Sequence, residues 1–135
     1  MEYQHSEITK EVIAAAMAVH AELGNGFQEV IYQRALALEM ESRKILFGRE
    51  VEMPVYYKGI EVGSRRVDFV VNSVVTVELK ALTVLEDVHL AQGKNYLEAY
   101  NLEVGLLMNF GAKSLEVKRL YNAKYDPRQL NIRAN

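Results

Sequence analysis

The sequence contains no cysteine, and no apolar run in it approaches the ~20 residues that a transmembrane helix needs. The missing cysteine excludes disulfides and metal sites built from thiolates. Residues 1–10 are polar and lack the apolar core of a signal peptide. These absences predict a cytoplasmic protein that makes no contact with a membrane.

An excess of positive charge is also missing, because the formal net charge is −2 at pH 7. The overall balance therefore gives no indication of nucleic-acid binding. Residues 113–135 depart from this balance with two acidic and six basic side chains, the basic ones being Lys113, Lys118, Arg119, Lys124, Arg128 and Arg133. This segment could contact phosphates, or it could be a solvated segment without a partner.

At 135 residues the chain fits one domain, which we interpret as residues 1–135 with a core at about 7–121 and a basic tail at 122–135. The apolar periodicity predicts two helices, a group of strands, a third helix and two final strands. They lie at about residues 8–24, 28–42, 51–55, 60–62 (the start of a return strand), 66–71, 74–82, 83–100, 104–110 and 115–118. This order predicts an α+β fold of the α/β-sandwich type, with a mixed central β-sheet flanked by helices.

Short local signals predict where these elements begin and end. Ser6 is the predicted N-cap of the first helix, and Gly24 is its predicted C-terminal stop. Pro54 predicts an edge strand, because proline cannot donate a hydrogen bond to a ladder. Thr83-x-x-Glu86 predicts a capping box at the start of the third helix.

The second helix combines an apolar face with two polar side chains. Its apolar stripe is predicted from residues at helical spacing, namely Ile31, Ala35 and Leu38, widened by Tyr32, Leu36 and Met40. Glu29 and Tyr32 are three residues apart and share a face. Glu29 lies near the helix start, where an acid is favourable by itself; alternatively, it could supply a third carboxylate for a metal or a bound water.

Two strand segments carry the residues that indicate chemistry. Glu78 and Lys80 are two residues apart, so on a strand both point to one face, while Leu79 points to the other. Asp68 lies ten residues upstream of Glu78, on a strand that can fold back beside this one. Two acids and a lysine could then converge, as a metal-dependent phosphodiesterase requires.

Whether Asp68 and Glu78 share a face depends on the register of this hairpin. Placing the two residues opposite each other centres the hairpin on Ser73 and requires a loop of odd length, such as Asn72-Ser73-Val74. A two-residue loop would instead place Asp68 opposite Val77 and turn Glu78 to the other face. The site is therefore predicted only with the odd-length loop.

The third helix presents a polar face. His89, Gln92 and Tyr96 fall within about a 60° arc of it. If the helix packs over the central strands, this face could look onto Glu78 and Lys80. The alternative is a partly buried helix whose polar groups are satisfied locally.

Four motifs together resemble the GxxExxY proteins over about residues 7–121, namely GxxExxY at 26–32, VELKA at 77–81, HxxQxxxY at 89–96 and GLLMNFGA at 105–112. That family is similar to the PD-(D/E)XK nuclease superfamily. The resemblance implies a restriction-endonuclease-like core with a metal-dependent phosphodiesterase site. Asp68 would be the first acid of the motif, preceded by Val67 where the motif name has proline.

The resemblance also implies a metal site. Asp68, Glu78 and the backbone carbonyl of Leu79 would bind Mg²⁺ or Mn²⁺, hard cations that prefer oxygen ligands. Glu29, which matches an N-terminal helix acid of such nucleases, is an optional further ligand. Lys80 would assist the attacking water or stabilise developing charge.

Further residues would handle the substrate. Gln92 and Tyr96 would form the Q-x-x-x-Y motif of the RecB-like branch and take part in catalysis. The predicted substrate contacts are Arg65, Arg66, His89 and Tyr32. Salt bridges to surface acids are an alternative for the arginines, and a purely structural place in the wall of the active site is an alternative for His89.

The resemblance implies a nuclease that hydrolyses phosphodiester bonds of nucleic acid, with DNA as the predicted substrate. The alternative is a non-catalytic binding or regulatory module that keeps the nuclease fold, which the net negative charge favours. A homodimer is a further possibility.

Overall fold

Three helices and five strands follow one another along the part of the chain that this computed structural model describes, residues 5–129. They are α1 (Ser6–Leu23), α2 (Glu29–Ser42), β1 (Phe47–Tyr57), β2 (Ile60–Val71), β3 (Val75–Lys80), α3 (Asp87–Tyr100), β4 (Val104–Asn109) and β5 (Glu116–Tyr121). None of these three helices has the length and apolarity that crossing a membrane requires. The end of the predicted basic tail, 130–135 with Arg133, lies outside the described residues.

The strands form one mixed sheet in the order β1-β2-β3-β4-β5. β3 and β4 are parallel, whereas the other neighbours are antiparallel. A parallel pair needs a crossover connection, which α3 supplies. β1 lies at an edge of the sheet, as Pro54 predicts. The predicted α+β fold with a mixed sheet is confirmed.

Apolar side chains cover both faces of the sheet. α1 and α2 pack on one face through a cluster that includes Val12, Ala16, Leu36, Phe69, Val77 and Leu79. α3 packs on the opposite face through Leu97 and Tyr100; the complete burial of Leu97 contributes roughly 1.5–3 kcal/mol. Because side chains alternate along a strand, Glu78 lies between β3 and α3.

β1 and β2 form a long hairpin. Its turn, Lys58-Gly59, has positive φ at both residues, 51° and 78°, as a type I′ turn requires. The sequence predicts a return strand that starts at Ile60 and a separate central strand, but these are one continuous strand, β2. The ladder between β2 and β3 stops at Phe69. β2 therefore separates from β3 at Asp68, and this gap contains the candidate site.

The predicted capping box of α3 is displaced by three residues. Glu86, rather than Thr83, is the N-cap, and its carboxylate accepts the backbone N–H of His89. In return, the Glu86 N–H donates to Nδ1 of His89 at 3.0 Å. The reason is topological, because residues 81–86 are needed to carry the chain from the end of β3 to the start of α3.

The ends and the buried face of the first two helices also differ in part from prediction. α1 stops at Gly24 as expected, but Ser6 is its first helical residue and His5 is the N-cap. On α2 the predicted stripe residue Leu38 is 69% exposed, and the buried face comprises Tyr32, Gln33, Leu36, Ala37 and Met40. The ring of Tyr32 stacks on Phe110 with centroids 4.9 Å apart, so this aromatic contact lies on the buried face of α2 and Leu38 lies on the opposite, exposed side.

Candidate functional site

The β2–β3 hairpin has the register that a shared acidic site requires. Phe69 pairs with Val77 and Val71 with Val75, so the hairpin is centred on Ser73 with a three-residue loop, 72–74. Positive φ at Asn72 (51°) and Ser73 (63°) closes this loop. The predicted odd-length loop is confirmed, and it places Asp68 at the level of Glu78.

Asp68 lies in the gap that opens beyond this ladder. Its Oδ2 accepts the backbone N–H of Leu79 at 2.8 Å, and its Oδ1 accepts Nε2 of Gln33 at 2.7 Å. The carboxylate thus replaces the backbone acceptor that Leu79 would have found on a neighbouring strand. Because the N–H and C=O of a strand residue point toward the same neighbour, the Leu79 carbonyl is also directed into the gap.

Glu78 is buried on the face toward α3, with 5% of its surface exposed. Burial raises the pKa of this carboxyl above its ordinary value of 4.5, nearby Asp68 raises it further, and the cations of Arg65 and Lys80 oppose the rise. A Cβ at Gly93 of α3 would lie 3.7 Å from Oε1 of Glu78. The helix therefore closes directly over this carboxylate.

Arg65 is the ion-pair partner of Glu78. Its Nη2 donates to Oε2 of Glu78, and its Nη1 donates to the hydroxyl of Tyr96 at 3.0 Å. The guanidinium also lies over the Tyr96 ring, 4.4 Å from the centroid. Burial by itself lowers the pKa of Arg65, but Glu78 and Tyr96 outweigh burial and raise it. The guanidinium is therefore fully charged inside the site.

Lys80 and Glu29 complete the charged cluster. Lys80 is half-buried and lies on the same face of β3 as Glu78. Glu29, at the start of α2, has a pKa raised above 4.5 by burial and then by Asp68, while Lys80 and Arg65 lower it. However, residues 5–129 contain no group of three carboxylates or histidines close enough to hold one metal ion. The role of Glu29 as a further metal ligand stays a prediction.

Only part of the Q-x-x-x-Y motif of α3 faces Asp68 and Glu78. Tyr96 contacts Arg65 as described, and Gln92 lies exposed one turn earlier on α3. His89 is held at the start of α3 by its reciprocal capping with Glu86. That capping is a sufficient structural reason for His89, so the structure adds no support for its predicted substrate contact.

Two predicted substrate contacts are not at the site. Arg66 points away from Arg65 and pairs with Glu50 and Glu52 of β1 at 3.2 and 3.6 Å, because successive residues of a strand face opposite sides. Tyr32 is completely buried. Its hydroxyl donates to the Gly24 carbonyl at 2.6 Å and accepts the Phe27 N–H at 3.1 Å. Tyr32 therefore holds the loop before α2 and cannot reach a substrate.

Gln33 is the residue that sequence reasoning missed. Its amide links Asp68 to Arg49, whose Nε donates to Oε1 of Gln33 at 3.0 Å. The available signal was its position four residues after Glu29, which places both side chains on one face of α2. Gln33 fixes the orientation of the Asp68 carboxylate.

Comparisons with known proteins agree with the fold of the chain. Residues 6–120 match the model of the PD-(D/E)XK nuclease superfamily. The solved crystal structure of SSO0001 is similar in fold, with a TM-score of 0.54 at 16% sequence identity. The match covers 88% of this chain and 58% of that one, so the chain spans little more than half the length of that protein. No curated protein matches the chain.

Proposed function

The chain belongs to the PD-(D/E)XK nuclease superfamily, and from this premise we propose that it hydrolyses phosphodiester bonds of nucleic acid, with DNA as the substrate. The observation that carries the proposal is the arrangement around the Leu79 peptide. Asp68 accepts the Leu79 N–H, the Glu78 carboxylate is buried beside it, and Lys80 interacts electrostatically with Glu78.

The donor set around Leu79 fits a hard divalent cation. Asp68, Glu78 and the Leu79 carbonyl supply oxygen only, and Mg²⁺ or Mn²⁺ commonly takes one or two carboxylates and completes its shell with water. We assign these three groups as ligands, with Glu29 as an optional further one. Such a cation, when bound, would polarise a phosphoryl oxygen and lower the pKa of a bound water.

The remaining side chains would bind and orient the substrate. Lys80 would direct its ammonium to the phosphate and stabilise the charge that develops there. Tyr96 and the exposed Gln92 would donate hydrogen bonds to phosphate oxygens or to the attacking water. Glu29, across the gap, interacts electrostatically with Lys80 and would orient its ammonium.

Cleavage of a mixed panel of single-stranded, duplex and branched DNA and RNA tests the proposal. We expect products with Mg²⁺ or Mn²⁺ that disappear in EDTA, and a loss of roughly 100-fold or more in Lys80→Met, as for other groups that stabilise transition-state charge. Lys10→Met, an exposed lysine of α1, is the matched control and should cleave as the wild type does. Products that survive in Lys80→Met, or no products with either metal, would contradict the proposal.

The alternative is a nuclease fold that binds without cutting. One observation favours it: the Arg65 guanidinium already neutralises Glu78. Calorimetry with Mn²⁺ separates the two functions, because a binding module should give equal, negligible heats for the wild type and for Glu78→Ala.

A further inference from the structure

Arg65 and Glu78 form a different kind of ion pair from the others in the described chain. The Glu78 side chain is 7% exposed and that of Arg65 27%, whereas the Arg43–Glu39 pair on α2 has 33% and 32%. A buried carboxylate without a counter-charge is strongly destabilising, because burial removes its hydration. The Arg65 guanidinium thus supplies the compensation that water or a bound cation would otherwise give.

A divalent cation at this site would need the carboxylate that Arg65 now holds. Two positive charges within a few ångströms of one buried carboxylate repel each other, and the low local dielectric strengthens that repulsion. The Asp68 oxygens are engaged by neutral N–H donors, so the competition falls on Glu78. Metal binding and the Arg65–Glu78 pair are therefore mutually exclusive or strongly antagonistic.

Tyr96 gives the guanidinium a second point of attachment. Arg65 both donates to the Tyr96 hydroxyl and lies over its ring, contacts that do not depend on Glu78. A guanidinium released from Glu78 would remain at the mouth of the gap with free N–H groups. Its planar fork is suited to two oxygens of one phosphate.

We propose that Arg65 is the resident counter-cation of Glu78, that a divalent cation displaces it, and that the displaced guanidinium, kept at Tyr96, becomes a phosphate contact. This inference rests on the proposed function and adds to it the order in which the two ligands bind. The cation first displaces the Arg65 guanidinium from Glu78, and the guanidinium then binds the nucleic acid. By thermodynamic linkage, each ligand should tighten the binding of the other.

Mn²⁺ calorimetry on Arg65→Gln tests the competition without any cleavage. We expect Arg65→Gln to bind Mn²⁺ roughly fivefold or more tightly than the wild type, the lower end of typical coupling between ligands. Arg65→Lys keeps the charge and should lie between the two. Arg43→Gln removes the arginine of the exposed pair on α2 and should bind Mn²⁺ as the wild type does.

Stability measurements provide a second test, which remains interpretable even if Arg65→Gln weakens the fold. In EDTA, Arg65→Gln should unfold at a lower urea concentration than the wild type, because Glu78 has lost its partner. Saturating Mn²⁺ should remove this difference in unfolding midpoint, and so should the added substitution Glu78→Gln. A difference in midpoint that is the same with and without Mn²⁺ would overturn the competition.

The phosphate contact is tested in a Lys80→Met background, which should keep the strand intact. Mn²⁺ should tighten the binding of a fluorescent single-stranded oligonucleotide when Arg65 is present, and tighten it less with Arg65→Gln. Equal tightening in both would overturn the phosphate role.

These outcomes can be distinguished from failure of the proposed function. Equal Mn²⁺ affinity in the wild type and Arg65→Gln would overturn the competition and leave the nuclease proposal intact. If neither protein bound Mn²⁺ and no nucleic acid were cut, the proposed function would fail, and the displacement step with it.

Discussion

Gln33 shows how one neutral side chain can set the geometry of a charged site. It is 8% exposed and joins Arg49 on one side to Asp68 on the other. An amide that donates to a carboxylate leaves the charge on the carboxylate while fixing its rotation. The Asp68 Oδ2 is then held on the Leu79 N–H, and the remaining lone pairs are directed into the gap between β2 and β3.

Gln33→Met should weaken metal binding more than it weakens the fold. The substitution keeps the length and helix propensity of the side chain but removes both hydrogen bonds. Partners of metal ligands typically change metal affinity by 10–100-fold, and a loss of roughly tenfold in Mn²⁺ affinity is expected. Urea unfolding in EDTA should show a loss of only about 1 kcal/mol.

The control for Gln33→Met is Asn95→Ala, which removes an exposed amide from α3. It should change neither the Mn²⁺ affinity nor the stability in urea. An Mn²⁺ affinity for Gln33→Met equal to that of the wild type would mean that Asp68 is either oriented without Gln33 or not a ligand.

The residues of the site differ in how far the sequence predicted them. Asp68, Glu78 and Lys80 could be placed together because strand alternation and an odd hairpin loop are local rules. The choice between Arg65 and Arg66 could not be made, since it depends on which face of β2 meets α3. The burial of Tyr32 could not be predicted for a related reason, because it depends on a tertiary contact, the stacking of its ring on Phe110.

At the scale of elements, the site depends on how β3 and β4 end. Asn109, at the end of β4, donates to the Leu82 carbonyl at 3.0 Å and accepts the Leu82 N–H at 2.8 Å. Gly111 follows, and a Cβ there would lie 2.4 Å from the Leu82 carbonyl oxygen and 2.6 Å from the Ala81 carbonyl carbon. The segment that leaves Lys80 is thus pressed against the segment after β4.

Gly111→Ala should therefore destabilise the protein and displace the end of β3. The clash is with backbone atoms, which cannot rotate away as a side chain can, so a loss of about 1–3 kcal/mol is expected. Gly63→Ala is the matched control, because a Cβ at Gly63 meets nothing within 4 Å. Urea unfolding of both variants checks this prediction. Equal midpoints would show that the loop after β4 can move to accommodate the added Cβ without loss of stability.

Over the whole molecule, we expect the site to lower the stability of the metal-free protein at neutral pH. Burial raises the pKa of Glu78 and of Glu29 above 4.5, so the folded state holds protons that the unfolded state has already released. A carboxyl with a raised folded pKa stabilises the fold below its unfolded pKa, and this contribution is lost as pH rises through the folded pKa. Solvent screens the more exposed Glu29, so Glu78 dominates.

Stability in EDTA should consequently fall as pH rises from 4.5 toward neutrality, the window set by the ordinary pKa of glutamate and the raised value of Glu78. Glu78→Gln removes the buried charge, so it should unfold at a higher urea concentration than the wild type at pH 7, and the difference should vanish below pH 4.5. Each unit of pKa shift corresponds to about 1.4 kcal/mol. Glu61→Gln, an exposed charge on β2, should show no such pH-dependent difference.

The opposite result would be equally informative about the site. If Glu78→Gln were less stable than the wild type at pH 7, attraction between Glu78 and Arg65 would outweigh the cost of burial. A divalent cation would then have to break a net stabilising pair before it could bind. If Glu78→Gln is the more stable protein, the buried carboxylate is kept at a cost to the fold, and saturating Mn²⁺ should stabilise the wild type while leaving Glu78→Gln unchanged.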